Sequence, residues 1–273
     1  MRLLALHKLG EGNVPPDTPV LYADDEGFLR GRAVFETLRV YDGVPFKLDA
    51  HLARLAASAE RLGLPAPDTA GFAEAAGEAI AAAGEPNASL RVLWTSGREG
   101  SGRPTGLVLV SSLPPGLEEL RTRGLKLATV TWYPGSLAGA KSTSYAENMA
   151  AVDDAARRGA DDALLVGPDG IVFEAPTSNV WFREDDLLLT PSLQLPLLAG
   201  VTRATLVDLA PATGYDVEEG TFELERLLDA DEVFLTSSVR EVMPVAEVDG
   251  RPVELGPAAR ELQGALRAAA GVP

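Results

Sequence analysis

The order of apolar segments restricts the fold of this chain more than any other feature. Short strand-like segments recur along the sequence, and fewer helix-like segments separate them. Parallel strands need a crossover connection, usually a helix, whereas antiparallel strands can be joined by tight turns. Because the strand-like segments outnumber the possible crossovers, the sequence predicts an α/β fold with mixed sheets rather than a simple doubly wound fold.

The predicted elements fall into two halves on either side of the polar stretch PPGLEELRTRG. The first half is predicted to have strands within 28–48, helices over 51–63 and 70–84, and strands over 89–97 and 106–113. The second half is predicted to have helices over 143–159, 201–212 and 257–270 and strands over 125–134, 163–167, 171–174, 178–183, 187–190, 232–238 and 242–248. We therefore predict a smaller N-terminal α/β domain over 1–114, a linker over 115–123, and a larger C-terminal domain over 124–273.

Charge and composition exclude several classes of function. The formal net charge is −16, which repels phosphate backbones and anionic membrane surfaces, so neither nucleic acid nor a membrane is expected as a partner. The chain has no cysteine, which excludes disulfides, thiolate nucleophiles and iron–sulfur clusters. Its two histidines, His7 and His51, cannot make a multi-histidine metal site within one chain, and no metal is expected.

The expected location is the cytoplasm. The N-terminal sequence MRLLALHKLGEG becomes polar too soon to resemble a secretory signal peptide. No stretch approaches the 18 apolar residues typical of a membrane-spanning helix.

Lys141 is the most unusual charged residue. It is one of four lysines, and every other residue between Lys126 and Glu147 is uncharged. Its surroundings, SLAGAKSTSY, are small and apolar, which predicts partial desolvation, a lowered amine pKa and a nucleophilic amine suited to Schiff-base chemistry. A lysine that extends from a loop to solvent is the alternative. The segment GSLAGAKS also nearly matches the sequence pattern of a phosphate-binding P-loop, but Ala140 stands where that pattern requires glycine.

Other segments carry polar residues of possible function. A carboxylate, Glu174, ends an apolar strand and needs a cationic partner or a shifted pKa, although an ordinary strand-end glutamate is as good an explanation. Backbone N–H groups at the start of the helix that begins at Gly200-Val201-Thr202 favour an anion site, and simple helix capping is the alternative. For Arg54 alone a solvated side chain is the usual state, and for His51 packing or capping is favoured over catalysis.

These segments together resemble the fold-type IV, class IV aminotransferases, which are pyridoxal 5′-phosphate (PLP) enzymes. The resemblance rests on GRAVFETLRVYDGVPFKLDAHLARL, AKSTSYAENMAA, FEAPTSNVWF, LLAGVTR and FLTSSVREVMPV, in this order and spacing. That family includes D-amino acid and branched-chain aminotransferases and aminodeoxychorismate lyase. The resemblance implies a two-domain fold-type IV enzyme whose larger C-terminal domain binds the cofactor.

The resemblance also implies roles for individual residues. Lys141 would form the internal aldimine with PLP and then shuttle the proton. Glu174 would pair with the protonated pyridine nitrogen. The phosphate would be held by Arg54, Val201, Thr202 and Ser238, and the turn beside the cofactor would be formed by Thr177, Ser178 and Asn179. Branched-chain enzymes carry a cofactor-contacting tyrosine one residue further from the lysine than Tyr145, so Tyr145 receives no definite role.

On the substrate side, an amino acid enzyme needs an arginine for the carboxylate. Arg30 and Arg91 are the candidates, Arg98 is a looser one, and surface ion pairs are the alternative for all three. Phe35 and Thr37 of FETLRV are also assigned to the substrate site, and Thr37 falls where lyases carry a threonine close to the reaction.

The expected function is a PLP-dependent transaminase that moves an amino group from an amino acid to a 2-oxo acid, with D-amino acids favoured over L-amino acids. The alternative enzyme is aminodeoxychorismate lyase, which forms p-aminobenzoate and pyruvate. A catalytically idle PLP carrier is a third hypothesis, and the presence of both Lys141 and Glu174 speaks against it. The resemblance further implies a homodimer.

Overall fold

The computed structural model of the chain describes residues 1–272. They form two compact units, of which the first combines residues 1–115 with 139–145, and the second combines 116–138 with the chain from 146 onward. Each unit has its own sheet and its own hydrophobic core. The predicted α/β class is confirmed, with parallel and antiparallel pairing combined in the second sheet.

The first unit contains a six-stranded sheet in which every neighbouring pair is antiparallel, in the order β2-β1-β6-β5-β3-β4. Its strands are β1 (Leu3–Lys8), β2 (Gly12–Val14), β3 (Ala33–Tyr41), β4 (Val44–Pro45), β5 (Ala88–Thr95) and β6 (Thr105–Ser112). Its helices are α1 (Glu26–Arg30), α2 (Leu48–Arg61) and α3 (Thr69–Ala83).

Alternation along β3 decides which residues of this strand enter the core. Val34, Leu38 and Val40 point to one face and are fully buried, and they belong to the same apolar cluster as Leu52 and Leu55 of α2. The odd-numbered residues of β3 therefore present a second face, and the candidate substrate residues Phe35 and Thr37 lie on it.

Two predicted boundaries in the first unit differ from the structure. Residues 28–30 were predicted as strand but end helix α1, because Asp25 caps its first turn and Gly31, at φ 65°, ends it. Helix α2 begins three residues before the predicted start, directly after Lys47, which has a left-handed backbone at φ 55°.

The segment that carries Lys141 belongs to the first unit although it follows the first strand of the second. The Phe35 N–H donates to the Lys141 carbonyl at 2.9 Å, and the Thr143 N–H donates to the Ala33 carbonyl at 3.0 Å. These bonds attach residues 139–145 beside β3. The prediction placed this segment in the C-terminal domain over 124–273, whereas in the structure it belongs to the first unit.

The second unit contains an eight-stranded sheet in the order β11-β10-β9-β12-β13-β7-β8, with β14 paired to β13. Its strands are β7 (Leu125–Thr131), β8 (Asp162–Val166), β9 (Asn179–Glu184), β10 (Leu187–Pro191), β11 (Asp216–Gly220), β12 (Glu232–Ser237), β13 (Glu241–Val248) and β14 (Arg251–Pro252). Its helices are α4 (Leu117–Arg123), α5 (Ala146–Arg157), α6 (Val201–Leu209), α7 (Leu224–Leu228) and α8 (Ala258–Ala269), and a 3-10 turn (Ala210–Thr213) follows α6.

Two further predictions are wrong in detail. The predicted linker 115–123 contains helix α4, which packs with the second unit. Residues 171–174 make only isolated bridges, Val166 with Val172 and Ile171 with Glu223, instead of a continuous ladder. Within residues 1–272 no helix has both the length and the apolar character needed to cross a membrane.

Candidate active site

In the first unit, the Lys141 amine lies against aromatic rings. Its Nζ is 4.8 Å from the centroid of the Phe35 ring and 5.9 Å from that of Tyr145, and the two rings meet edge to face at 5.3 Å. The Lys141 backbone N–H donates to Ser58 Oγ at 3.1 Å. Half-buried and held at its backbone on both sides, Lys141 lies in the partly apolar setting that the sequence predicted.

Arg91 also lies beside the Phe35 ring. Its guanidinium carbon lies 5.2 Å from the Phe35 centroid, and Arg91 on β5 is the cross-strand partner of Thr37 on β3. Phe35 and Thr37 are two residues apart on one strand and therefore point to the same face. We call Phe35, Arg91, Lys141 and Tyr145 the Phe35 cluster. It places an amine and a guanidinium beside one aromatic ring.

Thr37 lies next to this cluster. Its Oγ1 is buried and has no hydrogen-bond partner among residues 1–272. A buried hydroxyl without a partner carries a desolvation cost of about 1–3 kcal/mol, so this atom is suited to a hydrogen bond with a bound molecule.

The other candidate arginines are paired with acids. Arg30 Nη2 lies 2.7 Å from Glu99 Oε1, and half of the Arg30 side chain is exposed. Arg98 makes a two-pronged contact with Asp24, with Nε and Nη2 each 2.8 Å from a carboxylate oxygen. The structure therefore agrees with the surface ion-pair interpretation for Arg30 and Arg98, and it brings only Arg91 of the three to the Phe35 ring.

Arg54 is tied to a buried carboxylate that the sequence analysis missed. Its Nε and Nη2 donate to Glu36 Oε1 and Oε2 at 2.7 and 2.6 Å. His51 Nδ1 lies 2.7 Å from Glu36 Oε2. Glu36 and His51 are 0% and 1% exposed.

His51 is thus packed as expected, but it does not cap α2, because Lys47 holds the cap position. A lone glutamate within the apolar run AVFETLRVY was the available signal.

Charge states within this trio follow from burial and hydrogen bonding. Burial raises the pKa of Glu36, but the hydrogen bonds from Arg54 and His51 outweigh it and bring the pKa below the ordinary 4.5. Burial lowers the pKa of His51 below 6.5 despite the opposing bond to Glu36, and the charges of Arg54 and Lys141 lower it further. Glu36 is therefore ionised at neutral pH, and His51 is neutral with its proton on Nδ1.

His51 should give the apoprotein a measurable pH dependence. Because the folded-state pKa of His51 lies below 6.5, its contribution to stability is fully present above pH 6.5 and is lost as the pH falls from there through the lower, folded-state pKa. We expect the Tm to fall between about pH 7.5 and about pH 5.5, and His51→Gln to reduce this fall. His7→Gln, at the only other histidine, is the control. An equal fall in the parent and in His51→Gln would contradict the assignment.

In the second unit, Glu174 is held by an amide and by the backbone. The Asn179 side-chain amide donates to Glu174 Oε2 at 3.1 Å and to the Leu198 carbonyl at 2.9 Å. The Leu198 N–H lies 3.3 Å from both carboxylate oxygens. Asn179 and the Leu198 backbone thus orient the Glu174 carboxylate, and Leu198 is a second contact that the sequence analysis missed.

The start of α6 lies beside Asn179. Gly200 precedes the first helical residue, Val201, and no side chain caps the helix. A Cβ at Gly200 would overlap Asn179 Oδ1. Thr202 follows and is buried. Glycine is therefore required here by the close approach of Asn179, and the N–H groups of the first turn are left without a side-chain cap.

Three more predicted residues lie in loops of the second unit. Ser178 is 6% exposed, and its Oγ has no hydrogen-bond partner among residues 1–272. Thr177 is exposed at the tip of the tight turn from Ala175 to Ser178. Ser238 is half-buried and directly follows β12. In the part of the chain that the structure describes, no cluster of three or more His, Asp or Glu side chains is arranged to hold a metal ion.

Comparison with known proteins gives a consistent result. The family profile described as amino-transferase class IV matches residues 33–248. A Mycobacterium tuberculosis protein described as a bifunctional aminodeoxychorismate lyase / D-amino acid transaminase is 36% identical over 263 residues, which cover 89% of this chain and 91% of that protein. The aminodeoxychorismate lyase of Bacillus subtilis is 32% identical over 84% of this chain and 82% of its own length.

A solved structure agrees with these relatives. The PLP-bound form of a hypothetical aminotransferase from Mycobacterium tuberculosis is similar with a TM-score of 0.92 and 35% identity, over 97% of this chain and 98% of that one. The family profile covers well over half of the chain, and both curated relatives exceed 30% identity. The chain therefore belongs to the class IV aminotransferase family and has its fold-type IV architecture.

Proposed function

We propose that the protein is a transaminase that moves an amino group from an amino acid, D-amino acids favoured over L-amino acids, to a 2-oxo acid. Its cofactor is pyridoxal 5′-phosphate, as in the rest of its family. The observation that carries the proposal is the Phe35 cluster, where the Lys141 amine and the Arg91 guanidinium lie beside one ring. The guanidinium is suited to a substrate carboxylate, and the amine is suited to hold the aldehyde cofactor that reacts with the substrate amino group.

Each unit, taken by itself, offers groups that suit the cofactor. Lys141 offers an amine in a partly apolar setting. Glu174 offers an oriented carboxylate, suited to a protonated ring nitrogen. The uncapped start of α6 offers backbone N–H groups, the donors that a phosphate prefers, and the buried Ser178 Oγ adds a hydroxyl without a partner.

Each residue has a defined task in this proposal. PLP, when bound, supplies an electron sink for the substrate Cα. The Lys141 amine binds the cofactor covalently and moves the proton at Cα. The negative charge of Glu174 stabilises the positive charge on the protonated pyridine nitrogen of the cofactor. Arg54, Val201, Thr202 and Ser238 bind the phosphate, and Thr177, Ser178 and Asn179 form the turn beside it.

The substrate carboxylate is assigned to Arg91, because Arg30 is already paired with Glu99. A charge-assisted contact of this kind is worth about 1.5–3 kcal/mol. Arg91→Ala should therefore lower kcat/KM toward amino acids by about 10- to 150-fold. Turnover of an amine without a carboxylate should hardly change, and Arg30→Ala is the matched control. Unchanged amino acid kinetics in Arg91→Ala would refute the assignment.

The lyase remains a second candidate function because of Thr37. Its buried hydroxyl without a partner lies on the same strand face as Phe35, where a substrate atom can accept or donate a hydrogen bond. The Mycobacterium tuberculosis relative carries both activities in its description, which supports either function.

Two assays on one preparation separate the candidates. The first follows D-alanine or L-alanine with 2-oxoglutarate, and the second follows conversion of aminodeoxychorismate to p-aminobenzoate and pyruvate. The proposal predicts rapid transamination, faster with the D-amino acid. Fast lyase turnover with negligible transamination would overturn it in favour of the lyase. Faster turnover of the L-amino acid would retain the transaminase and reject the D preference.

We also propose that the protein is a homodimer, which is implied by its resemblance to the family. Light scattering combined with size-exclusion chromatography should give twice the chain mass of 28.7 kDa. The activity should elute with that species. A fully active species of single-chain mass would contradict the proposal.

A further inference from the structure

Glu36 is a buried charge on an otherwise apolar strand face. Val34, Leu38 and Val40 point from β3 in the same direction, toward α2, and all are fully buried. Packing alone would be satisfied by a fourth apolar residue, since replacing a buried ion pair with hydrophobic residues is often neutral or stabilising. The presence of Glu36 therefore calls for an explanation beyond the core.

The Glu36 carboxylate has three donors, and all come from one face of α2. Arg54 contributes Nε and Nη2, and His51 contributes Nδ1. His51, Arg54 and Ser58 are three and four residues apart, so they follow each other along the same side of the helix. Ser58 accepts the backbone N–H of Lys141. One side of α2 therefore binds Glu36 through Arg54 and binds the backbone of Lys141 through Ser58.

The contact between Glu36 and Arg54 is directional. Because Nε and Nη2 are both used, the guanidinium plane cannot rotate about its stem without breaking a hydrogen bond. The Nη1 side of the plane is consequently directed away from Glu36. With the Arg54 side chain only 13% exposed, little solvent competes for this orientation.

We infer that Glu36 is a positioning residue that sets the Arg54 guanidinium in the orientation that receives the phosphate of the cofactor. The inference rests on the proposed role of Arg54 as a phosphate ligand. Neutral His51 supports it as the third donor to the carboxylate, without adding charge.

Two explanations for Glu36, charge compensation and positioning of Arg54, predict opposite changes in phosphate affinity when Glu36 is replaced. If Glu36 only offset the charge of Arg54, Glu36→Gln would raise the local positive potential and strengthen phosphate binding. If Glu36 positions Arg54, the same change places an amide N–H₂ against an N–H donor, the guanidinium tilts, and phosphate binding weakens. The sign of the change in affinity therefore distinguishes the two explanations.

The test compares binding of PLP and of pyridoxal, which lacks the phosphate, to the apoprotein by quenching of tryptophan fluorescence. Glu36→Gln should weaken PLP binding by about 10- to 100-fold and leave pyridoxal binding within about twofold of the parent. Asp25→Asn is the control, because Asp25 is another buried carboxylate of the first unit, bonded to Thr95 and the Gly27 N–H. It should lower the Tm without a phosphate-specific loss.

Two further variants keep the test decisive. Glu36→Asp retains the charge but is one methylene shorter, so it should show the same phosphate-specific loss to a smaller extent, even if Glu36→Gln does not fold. In an Arg54→Gln background, adding Glu36→Gln should cause no further loss of PLP affinity, because Glu36 acts through Arg54.

Each outcome has one meaning. Unchanged or tighter PLP binding by both Glu36 variants would overturn the inference, as would an equal loss for PLP and pyridoxal. Failure of the proposed role of Arg54 is separately visible, since Arg54→Gln alone would then leave the affinity for PLP unchanged.

Discussion

Lys141→Ala should abolish transamination, with kcat reduced by about 10⁴-fold or more, the scale seen when the covalent group of an active site is removed. The structure places this amine at the Phe35 and Tyr145 rings, with its backbone bonded to Phe35 and Ser58. The substitution removes both the covalent attachment and the proton carrier.

The experiment follows single turnovers of D-alanine with PLP added in excess. Lys126→Ala is the matched control, because Lys126 is half-exposed and paired with Glu247. It should keep parental activity. An Lys141→Ala protein that turns over within about tenfold of the parent would show that another group carries the reaction.

Glu174→Gln should keep PLP bound but slow proton transfer at the substrate Cα by about 10²-fold or more, the scale of losing one positioned electrostatic group. The neutral amide has nearly the same shape, yet it cannot stabilise a positive charge on the cofactor ring. Asn179 and the Leu198 N–H both donate to the carboxylate, so the amide N–H₂ of the variant also meets a donor, and the loss combines the missing charge with a disturbed orientation.

The readout is the half-reaction, followed by the absorbance of the bound cofactor and by the primary isotope effect of Cα-deuterated alanine. Glu184→Gln is the control, since Glu184 is a partly exposed carboxylate of the same unit paired with Arg226. The isotope effect should increase in Glu174→Gln. Parental rates in that variant would contradict the assignment of Glu174.

Much of the fold was predictable because its signals are local. The two predicted helices of the first unit end at Gly63 and Gly84, and α2 and α3 end at Arg61 and Ala83. The segment over 171–174 was not predictable, because β-branched residues also suit isolated bridges held by distant partners. The return of residues 139–145 to β3 was missed for the same reason, since those bonds join residues about a hundred positions apart.

The candidate site was predictable to the extent that chemistry is visible in a single segment. Lys141 stands out as a candidate because every other residue between Lys126 and Glu147 is uncharged. The Glu36–Arg54 pair was missed, because it depends on β3 and α2 packing face to face. The choice of Arg91 over Arg30 also needed the structure, because the ion pair between Arg30 and Glu99 joins residues far apart in the sequence.

The most direct test of the account is borohydride reduction of the PLP-loaded protein, followed by peptide mapping. Borohydride fixes the cofactor to whichever amine holds it. We expect one labelled peptide, with the cofactor mass on Lys141 within SLAGAKSTSY. A label on Lys8, Lys47 or Lys126 with Lys141 unmodified would contradict it.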